Sequence, residues 1–181
     1  IEKTNLDFIL VVDMGLDSTS FAVYQGVMPI FTASSSASGR MLTSTVEKNL
    51  GLTYEKAERY KIQNGIVGRD GKQTESGMKI FGSVLSILSQ EIDKTINFFN
   101  NSLESGKEAQ IARIILTGGA SNLKGLPDYL AKELGKEVVL SNPWINLDAK
   151  RKEEFFNNEK SQSLATVIGL SLRAQDYESY N

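Results

Sequence analysis

The sequence predicts an α/β fold in which a mixed sheet with flanking helices carries a smaller inserted subdomain. An apolar strand near the start turns into further strands, a helical region follows, and a second apolar strand then precedes a helix and another strand. We therefore expect a core subdomain of residues 1–38 and 81–181. Residues 39–80 are expected to form a mainly helical insertion between its two parts.

Composition excludes several classes of function. The 181 residues include no Cys and no His, which removes disulfides, thiolate catalysis and the commonest zinc ligands. With 20 basic and 22 acidic side chains the net charge is −2, so we expect no nucleic-acid binding. No apolar run approaches the roughly 20 residues that span a bilayer, and we expect a cytoplasmic protein without direct membrane insertion. The start at Ile1, close to a core strand, predicts a piece of a longer protein.

The first strand, residues 8–12, leads into a polar turn where chemistry could occur. Asp13 ends the strand with a carboxylate, and Gly15 allows positive φ or close approach to a ligand. Ser18 and Thr19 offer hydroxyls and amides at the start of the return strand. This set suits a metal-bound phosphate, while an ordinary hairpin with a polar turn would give the same pattern.

The next elements follow from hydrophobic period and from residues that begin or end helices. The turn and a third strand over residues 28–36 complete an antiparallel meander. Three helices are then expected: one begun by a Ser44 and Glu47 capping box and stopped by Gly51, one from Thr53 to Asn64, and, after a loop, a single long helix over about 77–103.

The last third of the chain predicts a strand, helix, strand unit and a final helix. In order, we expect a central strand at residues 112–116 buried on both faces, a helix with Pro127 in its first turn and Gly135 at its end, a strand at residues 137–140, a connection over residues 147–160, and a helix over residues 164–173 followed by a tail. The final helix has apolar positions beyond one narrow stripe. We therefore expect exposed apolar surface there, and self-association through it.

Three motifs occur in a fixed order: D-x-G-x-x-S-T in the meander, Glu58 and Lys61 one turn apart on a helix, and Thr-Gly-Gly-Ala-Ser after a strand. This order resembles the second half of the actin-like ATPase fold, which is ribonuclease H-like and is shared by actin, DnaK-type chaperones, sugar kinases and the division protein FtsA. Within that superfamily the chain resembles the PilM family of type IV pilus assembly proteins. The segments that carry the resemblance are residues 12–15, 29–32, 39–43, 50–52, 56–61, 116–121 and 168–173.

The resemblance implies a phosphate and metal site at the polar turn. By position, Asp13 would hold Mg²⁺ through water. The backbone around Gly15, Ser18 and Thr19 would hold the β and γ phosphates, because amide donors and a cation suit a polyanion. Gly39 keeps the second member of the family's glycine pair in the binding site.

The resemblance also implies a nucleoside site. Glu58 and Lys61 would contact the ribose and the adenine edge of ATP, although the same pair is often simply solvated on a helix surface. Gly118, Gly119 and Ser121 would admit the nucleoside where a side chain would clash, although two glycines also suit an ordinary strand-to-helix turn.

Three positions depart from the family. Leu16 and Asp17 replace small or hydroxyl residues, and Ser38 replaces the first glycine of the pair. The Asp17 carboxylate would repel a γ-phosphate unless Mg²⁺ or another cation intervenes. We assign no catalytic residue, and expect at most weak ATPase activity in the longer parent protein and none in this chain.

The function that the resemblance implies is a cytoplasmic, nucleotide-binding scaffold of type IV pilus assembly. It would be peripheral to the inner membrane through its partners, the inner-membrane pilus assembly proteins. ATP and Mg²⁺ would bind between two halves of the parent, and weakly or not at all to this half alone. Two alternatives remain open: an FtsA-like cell-division protein and a small-molecule kinase of the same superfamily.

Overall fold

The described part of the chain forms one five-stranded mixed sheet with helices packed against it. A computed structural model describes residues 7–102, 110–145 and 161–178. The strands are β1 (Asp7–Met14), β2 (Thr19–Gln25), β3 (Met28–Ser35), β4 (Gln110–Thr117) and β5 (Glu137–Leu140). The helices are α1 (Gly39–Leu50), α2 (Tyr54–Asn64), α3 (Glu75–Ser102), α4 (Leu126–Leu134) and α5 (Ala165–Glu178), with short 3₁₀ helices at Gly119–Asn122 and Ser161–Leu164.

The sheet order is β3-β2-β1-β4-β5. β1 pairs antiparallel with β2 and parallel with β4, and the register sets Val12 beside Leu116 and Asp13 beside Thr117. This confirms the antiparallel meander and the prediction that residues 8–12 and 112–116 share one sheet. Because β1 and β4 run parallel, their carboxyl ends lie side by side.

The main core lies between the sheet and α3. Alternate residues of β1, among them Leu10 and Val12, are fully buried, as a strand with one covered face requires. The buried stripe of α3 includes Leu85 and Ile92, and α3 also packs against β3, α1 and α4. The prediction of a single long helix is confirmed. It begins two residues earlier than expected, where Thr74 Oγ1 accepts a hydrogen bond from the Gly77 amide at 3.1 Å.

The prediction that β4 is buried on both faces is wrong. Ala112 and Arg113 are exposed, and Arg113 Nε lies 2.8 Å from Glu137 Oε2 on the neighbouring strand β5. Ile111, Ile114 and Leu116 are buried. The run of apolar residues therefore predicted the strand β4 correctly, but other described elements cover only part of the surface of that strand.

Two helix boundaries also differ from the prediction. α1 begins at Gly39, because Ser38 has extended backbone angles and its Oγ accepts from the Met41 amide at 3.5 Å. Ser44 consequently lies inside the helix and does not cap it. α5 continues past Arg173 to Glu178, since the sequence there contains no Gly or Pro that would end a helix. The predicted ends at Gly51 and Gly135 are confirmed, both with left-handed φ.

Two further predictions are not tested by the described residues. α1 packs against α2 and α3, but the division of the chain at residues 38 and 81 stays a prediction. The predicted connection at residues 147–160 lies outside the described residues.

Candidate functional site

A cavity of about 490 Å³ lies where the carboxyl ends of β1 and β4 meet α1 and α2. This volume is in the range of small-molecule sites. The described lining comprises Gly15, Leu16, Gly39, Glu58, Lys61, Ile62, Gly119, Ala120, Asn122, Leu123, Lys124 and Ser163. Five residues predicted from sequence are thus brought together from four separate segments: Gly15, Gly39, Glu58, Lys61 and Gly119. The other five, Asp13, Ser18, Thr19, Gly118 and Ser121, are not among the described lining residues.

The first turn of α1 is bonded directly to the polar turn between β1 and β2. The Gly39 amide donates to the Gly15 carbonyl at 3.0 Å, and the Arg40 amide donates to the Leu16 carbonyl at 2.8 Å. A Cβ at Gly39 would lie only 3.2 Å from both the Ala120 Cβ and the Gly15 carbonyl oxygen. Gly39 therefore lets three segments meet closely at one wall of the cavity.

Asp13 and Gly118 pack against each other beside this wall. Gly118 has φ +83°, and a Cβ there would lie 2.4 Å from Asp13 Oδ1 and 2.6 Å from the Met14 carbonyl oxygen. Only glycine allows this contact without displacement of backbone. Gly118 is thus required by the packing of the two strand ends, whatever the cavity binds.

The hydroxyls of Thr19 and Ser121 are buried and engaged within the protein. Thr19 Oγ1 donates to the Ala37 carbonyl at 2.5 Å, and Ser121 Oγ donates to the Gly118 carbonyl at 2.7 Å. These bonds fix the loops around the cavity. The predicted role of the Thr19 backbone in phosphate binding stays a prediction, while the Thr19 hydroxyl already donates to an acceptor within the protein.

Glu58 and Lys61 are not a solvated surface pair. The Lys61 side chain is 9% exposed and that of Glu58 is 32% exposed, and Lys61 Nζ lies 2.7 Å from Glu58 Oε2. The same ammonium donates to Thr43 Oγ1 at 3.0 Å and to the Gly39 carbonyl at 3.4 Å. Sequence reasoning missed Thr43. Its one local feature, a position one helical turn after Gly39, does not show that the charged pair of α2 packs against it.

The Asp17 carboxylate has a cationic partner. Arg40 Nε lies 2.5 Å from Asp17 Oδ1, with both side chains more than half exposed. The hydrogen bond from Arg40 lowers the pKa of Asp17, and the same bond raises the pKa of Arg40. We expected Asp17 to repel a γ-phosphate unless a cation lay nearby, and the Arg40 guanidinium is such a cation.

The remaining lining comes from residues that sequence reasoning did not single out. Leu123 and Ile62 give the cavity apolar surface. Lys124 Nζ reaches across to the Gln63 carbonyl at 2.8 Å, and a Cβ at Gly119 would lie 3.1 Å from Ser163 Oγ. Ser163 lies just before α5, far along the chain from the other lining residues. No local sequence pattern therefore predicts that it lines the cavity.

Solved structures with this arrangement define the class of fold. MreB 5 of Spiroplasma citri bound to AMPPNP matches with a TM-score of 0.71 at 11% identity, covering 99% of this chain and 56% of that one. The PilM-PilN type IV pilus biogenesis complex matches with a TM-score of 0.74 at 28% identity, covering 93% of this chain and 46% of that one. The chain therefore has the fold of part of an actin-like protein.

Sequence comparison gives the family. The family described as type IV pilus assembly protein PilM matches residues 2–175, and this chain belongs to it. The cell division protein FtsA of Agrobacterium fabrum is 25% identical over a 150-residue alignment, which covers 73% of this chain and 34% of that protein. The chain thus spans about a third of that FtsA and about half of each solved neighbour. Within the described ranges, no helix has both the length and the apolar character needed to cross a membrane.

Proposed function

We propose that this chain is one half of an actin-like, nucleotide-binding scaffold in type IV pilus assembly. Membership of the PilM family supports the pilus role, and the cavity supports the nucleotide. The single observation that carries the nucleotide proposal is the convergence of Gly15, Gly39, Glu58, Lys61 and Gly119 on one cavity. An actin-like neighbour, MreB 5, is bound to AMPPNP in its own structure.

The residues present fit ATP. The cavity combines apolar surface from Ile62 and Leu123 with the paired charges of Glu58 and Lys61, as a nucleoside site needs. Glu58 and Lys61 would contact the ribose and adenine edge, and the backbone near Gly15 would hold phosphates.

Magnesium would be held mainly by phosphates and water. Among the described residues no cluster of three or more His, Cys, Asp or Glu could hold a metal. Asp13 therefore belongs to no such cluster, which suits a hydrated Mg²⁺ ion bound through its water molecules and brought by the nucleotide. When bound, the ion would neutralise phosphate charge.

Binding is proposed to need the other half of the fold. This chain is proposed to supply only one wall of the nucleotide site, whereas a tight site buries most of the surface of its ligand. We expect the chain of residues 1–181 to bind ATP with Mg²⁺ weakly or not at all and not to hydrolyse it. The full-length gene product is expected to bind it, with at most weak ATPase activity.

Calorimetric titration of ATP with Mg²⁺ tests this. The full-length gene product should bind, Asp13→Ala should weaken that binding, and residues 1–181 alone should give little heat. Micromolar affinity of residues 1–181 that Asp13→Ala abolishes would show that the half-site is complete in itself. A full-length protein without ATP affinity would overturn the nucleotide proposal.

The proposed partners are inner-membrane pilus assembly proteins, which would hold a cytoplasmic protein at the membrane. The structural neighbour that supports this is a PilM-PilN complex. Co-purification of the full-length gene product with pilus proteins is the test. Recovery of division-ring proteins instead would favour the FtsA-like alternative, which the FtsA relatives also make reasonable. Phosphorylation of a small molecule would favour the kinase alternative.

Self-association is proposed through α5. Val167 and Leu170 on this helix are 59% and 62% exposed, and Leu164 just before it is also exposed. Apolar surface of this kind favours association. Sedimentation should show dimers or weak oligomers of residues 1–181, and Leu170→Glu should reduce them. A monomer at high concentration would contradict the proposal.

A further inference from the structure

The buried hydroxyl of Thr43 lies at the centre of a hydrogen-bond network that joins α1 to α2. Thr43 is fully buried, and its Oγ1 lies 3.0 Å from the Gly39 carbonyl oxygen. The same hydroxyl accepts from Lys61 Nζ at 3.0 Å and contacts Glu58 Oε2. Lys61 Nζ in turn lies 2.7 Å from that carboxylate oxygen. One hydroxyl thus contacts both members of the Glu58–Lys61 pair that lines the cavity.

The network continues to the polar turn. Gly39, whose carbonyl accepts from Lys61 Nζ at 3.4 Å and lies 3.0 Å from Thr43 Oγ1, donates its amide to the Gly15 carbonyl at 3.0 Å. Gly39 therefore links Thr43 to the part of the cavity where phosphates are proposed to bind. Its position couples the two ends of the cavity through a short chain of hydrogen bonds.

Two contacts on one oxygen fix the orientation of the Glu58 carboxylate. Thr43 and Lys61 both contact Oε2. No hydrogen bond to the other oxygen, Oε1, is present within the part of the chain that the structure describes. Because Glu58 lines the cavity, Oε1 is available to accept hydrogen bonds from a ligand. Vicinal hydroxyls of a ribose ring are donors of the right kind for such a carboxylate.

We propose that Thr43 is a positioning residue that holds Glu58 for the ribose hydroxyls, and so sets the preference for ribonucleotides over 2′-deoxyribonucleotides. This inference rests on the proposed nucleotide-binding function. Thr43 itself touches no ligand. It acts through Glu58, whose rotamer would be free to change if only Lys61 held it.

Three substitutions separate positioning from packing. Thr43→Val keeps the shape and removes the hydroxyl, while Thr43→Ser keeps the hydroxyl and removes a methyl. The matched control is Thr45→Val, on the same helix, because Thr45 Oγ1 bonds only to the Leu42 carbonyl of its own helix, at 2.7 Å, among the described residues. All are made in the full-length gene product. Calorimetry then gives Kd for ATP and for 2′-deoxy-ATP, each with Mg²⁺.

The wild type should bind ATP about tenfold more tightly than 2′-deoxy-ATP, as the loss of one hydrogen bond to a charged group predicts. Thr43→Val should weaken ATP binding about tenfold and bring the ratio of the two Kd values close to one. Thr43→Ser should restore both quantities to within about threefold, and Thr45→Val should leave them unchanged. Thermal unfolding without ligand, measured for each variant, reports any change in packing.

The outcomes distinguish this inference from the function on which it rests. A wild type that does not bind ATP overturns both. A wild type that binds ATP, with a Thr43→Val variant that keeps its affinity and its ratio, overturns the role of Thr43 alone. An equal loss of affinity for both nucleotides, with a lower unfolding temperature, would show a purely structural role and also overturn it. If Thr43→Val does not fold, Thr43→Ala carries the same test, because the smaller side chain leaves room for water beside the Lys61 ammonium.

Discussion

Two ion pairs differ in their exposure to solvent: Glu58 and Lys61 line the cavity, whereas Asp17 and Arg40 join the polar turn beside it to the start of α1. Lys61 and Glu58 are 9% and 32% exposed, whereas Arg40 and Asp17 are 52% and 68% exposed, at similar separations of 2.7 and 2.5 Å. A mostly buried pair is held by its surroundings and is costly to break. An exposed pair is screened by salt and can exchange partners at little cost. The pair that lines the cavity is therefore held in place, and the pair at the polar turn is free to exchange partners.

The two ends are also built from different parts of the chain. The polar-turn end is held by close backbone contacts: the Gly39 amide donates to the Gly15 carbonyl at the cavity wall, and Gly118 closely approaches Asp13 and Met14 beside it. The α2 end is made by the side chains of Thr43, Glu58 and Lys61. Added bulk should therefore disturb the first end most, and removed charge should disturb the second end.

The largest effect is expected at the backbone-built end, from Gly118→Ala. The new Cβ would lie 2.4 Å from Asp13 Oδ1, and the backbone has φ +83° and ψ 159°, a conformation that only glycine adopts readily. We expect a loss of about 4 kcal/mol in the free energy of unfolding. Urea denaturation of the wild type and variant measures it.

The matched control for this variant is Gly135→Ala. Gly135 also has positive φ, at +60°, but a Cβ there meets nothing within 4 Å. Its cost should be about 1 kcal/mol, from backbone conformation alone. If the two variants lose equal stability, close packing at the strand ends is not what requires glycine at position 118.

The second effect is expected at the side-chain end, from Lys61→Met. The change leaves the Glu58 carboxylate and the Thr43 hydroxyl without the ammonium, and we expect a loss of about 2 kcal/mol in the free energy of unfolding. The control is Lys94→Met. Lys94 and Glu91 share the i, i+3 spacing, the 2.7 Å separation and a glutamate that is 32% exposed, but Lys94 is 68% exposed. That variant should change stability by less than about 0.5 kcal/mol. Equal losses in both variants would remove the distinction between fixed and exposed pairs.

Local sequence signals predicted the scaffold of this site well. The period of β1, the stripe of α3 and the glycine at position 51 each act within one element, so neighbouring residues contain the information. The predicted start of α1 is wrong because both Ser38 and Ser44 suit an N-cap, and the contacts that favour Ser38 come from the distant polar turn, whose Gly15 and Leu16 carbonyls accept from the first amides of the helix. The prediction that both faces of β4 are buried is wrong because the sequence of a strand does not tell how many of its faces other elements will cover.

The site itself was predictable in part, for a related reason. Gly15, Gly39 and Gly119 could be found by motif, since a glycine is required where chain segments approach closely. Thr43 and Arg40 could not, because their roles depend on how α1 lies against α2 and against the polar turn. Arg40 is 23 residues from Asp17, and no periodic pattern connects residues that far apart.

The smallest effect is expected at the exposed pair of Asp17 and Arg40. It concerns the pKa of Asp17 and not the free energy of unfolding. The hydrogen bond from Arg40 lowers the pKa of Asp17, so this carboxyl should titrate below the usual aspartate range. A lowered pKa adds stability above the unfolded-state value and loses it as pH falls through the folded value, so any loss would occur in acid below about pH 4. Because both groups are exposed, the urea midpoint of Arg40→Met at neutral pH should equal that of the wild type.

Carboxyl NMR measures this titration directly. In the wild type at low salt the pKa of Asp17 should lie below its usual range, and Arg40→Met should return it to that range. Salt at about 1 M, where the Debye length is about 3 Å, should move the wild type in the same direction. A wild-type pKa that neither Arg40→Met nor salt changes would show that the pair does not form in solution. Asp17 would then stand without a cation at the polar turn, and Asp17→Asn should strengthen ATP binding to the full-length protein by removing the charge that opposes the phosphates.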